Sequence, residues 1–201
     1  MTREELAALL GSTVREAEIG RATPAGVSAE RGKVRDIWSR GDRVLITTTD
    51  RLSAFDVVLT TIPCKGEVLN RISLHWFEKT RDIVANHLVE PLSARSVLVR
   101  RCAPVPVEVV VRGYLTGSAW RDYAAGSAVS GIRLPAGMRQ AERFATPLLT
   151  PSTKAERGKH DEPISCEEVV RRGLVPKPLW ERIEQTALAL FLAILVNRAM
   201  L

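Results

Sequence analysis

The run Val107-Glu108-Val109-Val110-Val111-Arg112 constrains the backbone more than any other stretch. Four valines in six positions are stiff at χ1 and favour a strand over a helix. Pro104 and Pro106 stop a helix from entering it, and Gly113 punctuates its end. On a strand, alternate residues share a face. Val107, Val109 and Val111 therefore point one way, and Glu108, Val110 and Arg112 the other. A glutamate and an arginine are costly to bury, so the second face is predicted to line a polar cleft.

The rest of the chain divides by hydrophobic period. Gly32 to Asp50 reads as a β-hairpin turning at Arg40-Gly41-Asp42, with β-branched residues from Val44 to Thr49. Val57 to Ile62 and Val97 to Cys102 read as further strands. From Glu67 to about Arg81 the period becomes helical, with Val68, Leu69, Ile72, Trp76 and Phe77 on one face. Thr2-Arg3-Glu4-Glu5 is a capping box opening a short N-terminal helix, and Ser165-Cys166-Glu167-Glu168 opens another that ends by Gly173. Gly113 to Gly117 reads as a turn, Ser118 to Ala125 as a short helix, and residues 126–163 mostly as loop. A long helix follows Pro176 and Pro178, with Leu179, Trp180, Ile183, Ala187, Leu190, Phe191, Ile194 and Leu195 apolar. A β-rich first half before a helix- and loop-rich second half predicts an α+β protein of two lobes.

At 201 residues, with 45% apolar and 26% charged residues, the chain has ordinary globular composition. Disorder, collagen and coiled coil are excluded for the chain as a whole. The net charge of +6 suits an anionic small substrate as well as nucleic acid. No dense basic stripe or nucleic-acid motif is present, so no nucleic-acid partner is expected. Cys64, Cys102 and Cys166 are odd in number and scattered, which predicts free thiols and no structural zinc. MTREELAALL lacks the apolar core of a signal peptide. Ala187 to Val196 is too short to cross a bilayer. A soluble cytoplasmic protein without a membrane partner is expected.

Four patches carry chemistry. Gly32-Lys33 can bring backbone and charge to a phosphate, or be an ordinary charged strand start. Asp50-Arg51-Leu52-Ser53-Ala54-Phe55-Asp56 sits between strands, and its composition equally fits a solvated turn. Arg112, followed by Thr116-Gly117-Ser118 at a helix start, combines a guanidinium fork with hydroxyls and helix amides. There the alternative is a plain N-cap. In the loop beyond Thr150, Lys154 can neutralise a transferred phosphoryl group, and Asp161 or Glu162 can position a magnesium ion or an amine. Together these patches predict a site for several anions between two lobes.

In this order the blocks GKVRDIW, TTDRLSAFDVVL, KGEVLNRISLHWFE, VPVEVVVRGYLTGSAWRDY, GIRLP and TPSTKAERGKHDEPIS resemble the SAICAR synthetases, from about Gly32 to Phe191. The resemblance implies a kinase-like antiparallel sheet lobe over residues 1–104, with ATP binding. A larger, here incomplete, α+β lobe would cover 105–201. It implies a ligase of purine biosynthesis that joins L-aspartate to carboxyaminoimidazole ribonucleotide (CAIR) through an acyl phosphate, using ATP and magnesium. By matching position, Gly32 and Lys33 resemble the residues over the ATP phosphates. Val107 and Glu108 resemble the segment that reads the nucleoside. Arg112 and Ser118 resemble CAIR contacts, and Lys154 resembles the stabiliser of the phosphoryl group in transfer. Asp161 resembles part of the aspartate and CAIR pocket, with Asp50, Ser53 and Asp56 on a loop edging the cleft.

The family pattern continues past the long helix into a strand with an Asp-Thr-Lys-Phe-Glu-Phe-Gly-like motif, which carries carboxylates for magnesium. Here the sequence reads Ala193-Ile194-Leu195-Val196-Asn197-Arg198-Ala199-Met200-Leu201. The expectation is a C-terminally truncated member without its metal ligands. Its Leu190–Leu195 stripe would offer a surface for self-association. The alternative function is a catalytically impaired paralogue that only binds nucleotide or CAIR.

Overall fold

The computed structural model describes residues 13–17, 25–54, 57–154 and 161–198, with side chains to residue 195. The expected helix at Thr2-Arg3-Glu4-Glu5 lies outside the described residues, as does Asp56. The chain divides into two compact units, Met1–Ala103 and Pro104–Leu201.

In the first unit an antiparallel sheet has the order β1-β2-β3-β7-β6. Its strands are β1 (Ser28–Arg31), β2 (Arg35–Arg40), β3 (Arg43–Thr48), β6 (Leu88–Pro91) and β7 (Ser96–Arg100). Gly41, at φ +58°, and Asp42 form the two-residue turn between β2 and β3, and Arg40 pairs with Arg43. A primed turn of this kind needs the left-handed conformation that glycine adopts without strain. The fully exposed edge strand β1 shows no apolar alternation and is not foreseen by the sequence.

A second hairpin pairs β4 (Arg51–Ala54) with β5 (Val57–Thr61). The reading of Asp50 to Asp56 as a solvated turn is corrected: β4 occupies its middle, and Asp50 and Arg51 are buried. Both charges are tolerated inside because each has a full set of partners.

Helix α1 (Lys65–Lys79) packs on β3. Trp76 and Phe77 of its apolar stripe are half-buried, but the first half of the stripe does not supply the contact. Val68 is 51% exposed, Leu69 and Ile72 are exposed too, and the buried residues are Gly66 and Asn70. The helix lies so close to the sheet that a Cβ at Gly66 would meet the Thr48 carbonyl oxygen at 2.3 Å. Asn70 donates its side-chain amide to the Ala94 carbonyl at 3.0 Å, which binds the helix to the turn before β7. Small size and a hydrogen bond thus override the apolar pattern.

The second unit is built on β8 (Val107–Tyr114) paired with β9 (Arg143–Thr153). Strand β8 runs through Gly113, where the sequence suggests a turn, and absorbs a bulge between Arg112 and Tyr114. Strand β9 replaces much of the expected loop. Pro147 and Pro151 disguise it, because proline has no N–H to donate to a ladder. Both prolines fit: Pro147 has no partner in the register with β8, and Pro151 contributes its carbonyl, which accepts from the Ile164 amide at 3.1 Å.

Helices α2 (Gly117–Ala124), α3 (Cys166–Arg171) and α4 (Lys177–Arg198) complete this unit. Val107, Leu149, Ile164, Val169, Val175 and Trp180 form its main core, with Val109 and Val111 packed against them. Leu115, Ala119, Val129 and Phe144 form a second core. Ser165 caps α3 by accepting from the Glu168 amide at 3.2 Å. The Glu168 carboxylate pairs with Arg171 and Arg172. On α4, Ile183 and Ala187 reach the core, whereas Leu192, Ile194 and Leu195 are exposed. Among the described residues no helix is long and apolar enough to cross a membrane.

Candidate functional site

The register of β8 and β9 sets Glu108 opposite Ser152 and Val110 opposite Thr150. Directly opposed residues share a face, so the charged side of β8 continues as hydroxyls on β9. Val107, Val109 and Val111 take the other side, against the core. The alternation argument for Arg112 therefore holds within this unit.

A cavity of about 190 Å³ opens on that polar side. Arg112, Ser118, Asp122, Ser130, Thr150, Ser152 and Asp161 line it, among others. Arg112 donates from Nε to Thr150 Oγ1 at 3.0 Å and from Nη2 to Ser118 Oγ at 2.9 Å. The Thr150 hydroxyl spends its proton on the Val110 carbonyl at 3.0 Å. The guanidinium is thus held by two strands and a helix while two of its five N–H donors are spent on these hydroxyls.

Ser118 lies in the first turn of α2, whose N-cap, Thr116, makes no side-chain capping bond. The first-turn amides are left without that partner, beside an arginine and a serine hydroxyl. Gly117 holds φ +59° at the helix start, a conformation that a side chain would strain. The arrangement suits an anion: a fixed positive fork, a hydroxyl and the positive end of a helix.

Arg112, Ser118 and Asp161 are thus gathered round one cavity. Lys154 is not among its lining residues; it follows β9 with an exposed side chain, and its amide donates to the Pro106 carbonyl at 3.1 Å. Val107 is buried in the core, and Glu108 is exposed on the polar side of β8. Sequence reasoning did not single out Asp122 or Ser130 as site residues. Nothing in their local sequence marks them, and Ser130 reaches the cavity through a turn at φ +46°. Thr150 and Ser152 were visible as text, but the strand that aims them was not.

In the first unit Gly32 and Lys33 form the turn between β1 and β2. The Gly32 amide donates to the Arg35 carbonyl at 2.8 Å. The Gly32 and Lys33 carbonyls both accept from Arg51, at 3.0 and 3.1 Å. Arg51 also donates to the Arg15 carbonyl at 2.6 Å and to Asp36 at 2.7 Å. Burial pushes the Asp36 carboxyl up, but the bond from Arg51, the Ala17 amide and the charges of Arg51 and Arg31 outweigh it. The net result lies below the ordinary carboxylate value.

Asp50 is 0% exposed and serves the fold of this unit. It accepts from Arg95 at 2.6 Å, the Val14 amide at 2.8 Å and the Gly66 amide at 2.9 Å. Burial raises its pKa, and these bonds with the Arg95 charge bring it below the ordinary value. Ser53 lies on β4 opposite Val58, half-buried. For the magnesium implied by the resemblance, no three His, Cys, Asp or Glu side chains gather among the described residues. The described residues thus form no all-protein metal cage, whereas magnesium carried by a nucleotide needs only one or two protein carboxylates beside phosphate oxygens and water.

The family model described as SAICAR synthetase matches residues 28–196. A phosphoribosylaminoimidazole-succinocarboxamide synthase of Methylococcus capsulatus is 51% identical over 177 residues, covering 80% of this chain and 59% of that protein. The enzyme of the same name from Geobacter sulfurreducens is 45% identical over 179 residues, covering 81% and 60%. The chain therefore spans about 60% of the length of these curated relatives. Among solved structures, the SAICAR synthase of Saccharomyces cerevisiae complexed with SAICAR superposes with a TM-score of 0.74 at 34% identity. It covers 86% of this chain and 64% of that one. The α+β fold with antiparallel sheets is shared with it, and by a match that runs from β1 through most of α4 the chain belongs to the SAICAR synthetase family.

Proposed function

We propose that the protein is an ATP-dependent ligase of purine biosynthesis that joins L-aspartate to CAIR, giving SAICAR, ADP and phosphate. The observation that carries this reading is the cavity anchored by Arg112, Ser118 and Thr150. The phosphate of a ribonucleotide matches its fork, hydroxyl and helix start. Asp122 and Asp161 supply carboxylates for sugar hydroxyls or an incoming amine. The SAICAR named with the yeast relative is the product expected at the same place.

A CAIR carboxylate oxygen attacks the γ-phosphorus and ADP leaves. The aspartate amine then attacks the acyl carbon, phosphate departs and the amine loses a proton. In this reading Gly32 and Lys33 bind the ATP phosphates, the backbone at Val107 and the exposed Glu108 meet the nucleoside, and Lys154 stabilises the phosphoryl group in transfer. Ser53 and Asp56 belong to the aspartate-binding loop in this reading, and Asp50 holds the fold of the first unit.

The alternative reading is binding of nucleotide or CAIR without turnover. One experiment separates the two. ADP release that requires CAIR, aspartate and ATP together supports the ligase. A thermal shift without ADP release supports binding alone; at a hundred times Kd the gain is about 2.7 kcal/mol. Arg112→Ala is expected to weaken CAIR binding about tenfold to a hundredfold. Unchanged CAIR affinity in that variant would remove the cavity from both readings.

A further inference from the structure

We propose that Arg51, held by Asp36, is the positioning residue that sets the Gly32–Lys33 turn for nucleotide phosphates. The inference rests on the reading that this turn binds ATP. Arg51 comes from β4, a strand outside the sheet that carries the turn. Its side chain is 4% exposed, so its donors must be used within the protein. They are: Nε to the Lys33 carbonyl, Nη2 to the Gly32 carbonyl and Asp36 Oδ1, and Nη1 to the Arg15 carbonyl and, at 3.4 Å, Asp36 Oδ2.

The two successive carbonyls decide the geometry. A trans peptide sets its N–H opposite its C=O. With the Gly32 and Lys33 carbonyls drawn to one guanidinium, the Lys33 and Val34 amides are directed away from it. Adjacent amides aimed to one side make the kind of concave donor array that receives phosphate oxygens. Asp36 neutralises the buried guanidinium and accepts the Ala17 amide at 2.8 Å. One ion pair therefore joins the turn, β2, β4 and residues 15–17. Gly32 suits this arrangement, because a Cβ there would stand 3.1 Å from the Arg35 carbonyl oxygen. Lysine cannot replace Arg51, since an ammonium is a point charge with three donors and no planar fork.

The test compares wild type, Arg51→Lys and Asp36→Asn as the full 201-residue chain. ATP and CAIR are titrated separately by calorimetry, well below each variant's melting temperature, and Lys33→Ala serves as the probe of the turn itself. Arg51→Lys is expected to raise the ATP Kd at least about tenfold while leaving the CAIR Kd within about twofold. Asp36→Asn is expected to raise it by a smaller factor, and it serves alone if Arg51→Lys does not fold. A lowered melting temperature with unchanged ATP affinity in the folded variants would make Arg51 merely structural and overturn the proposal. Wild type that binds ATP with an affinity indifferent to Lys33→Ala would instead overturn the nucleotide reading of the turn, and the proposal with it.

Discussion

At Gly66 the absence of a side chain is what lets α1 reach the sheet. Two backbone carbonyls and the Arg95 guanidinium leave no room for a Cβ. Gly66→Ala is expected to cost about 3 kcal/mol, since backbone cannot move aside as a flexible side chain can. A denaturant melt of the variant checks it; a loss under about 1 kcal/mol would show that the helix shifts freely. Cys166 is a second residue whose chemistry depends on its setting. Burial, then the bond and charge of Glu184, then the charge of Glu167 push its thiol up to about 12. The thiolate is the reactive form. With a disulfide reagent at pH 8, exposed Cys102 is expected to react well before Cys166 in the native protein. Equal rates would contradict the packing of α3 on α4. The role of Arg112 was legible because strand alternation is local. That of Asp50 was not, because its partners lie 36, 16 and 45 residues away.

Elements were legible where end signals and period agree. Ser165 and Gly173, the latter at φ +67°, bracket α3 as the sequence predicts. Ser165→Ala is expected to cost about 1 kcal/mol by removing the cap. The Ser165 Cβ also faces Gly131 closely, and alanine keeps that Cβ, so the measured loss isolates the hydroxyl. A loss near zero would mean that the Glu168 amide finds another acceptor. Where signals conflicted, tertiary context decided. In α1 the first half of the apolar stripe lost to a glycine and an asparagine. In β9 two prolines masked an 11-residue strand that pairs along β8.

At the scale of the molecule, two buried carboxylates govern acid stability. Asp36 and Asp50 both titrate below the ordinary aspartate value of 3.8 in the folded protein. The unfolded chain therefore takes up their protons first. Their stabilisation is present in full above about pH 5 and is lost as pH falls below 3.8 through the lower folded values. Cys166 acts at the other extreme. Its folded value of about 12 exceeds the reference 9.0, so its contribution is present below pH 9.0 and lost on rising towards 12. Denaturant midpoints measured across pH check both limbs. A midpoint that stays level from pH 5 to pH 2.5 would contradict the two aspartate networks.

Local pattern alone settled the turn at Gly41, the alternation of β8, the cap of α3 and the order of blocks that marks the family. Each depends on residues a few positions apart, where covalent geometry and periodicity act directly. The buried Asp36–Arg51 pair, the close approach of α1 at Gly66, the course of β9 and the gathering of Thr150 and Asp161 beside Arg112 and Ser118 required the folded chain. Their energies come from partners distant in sequence, and a charge or a glycine shows whether it is buried only when those partners arrive.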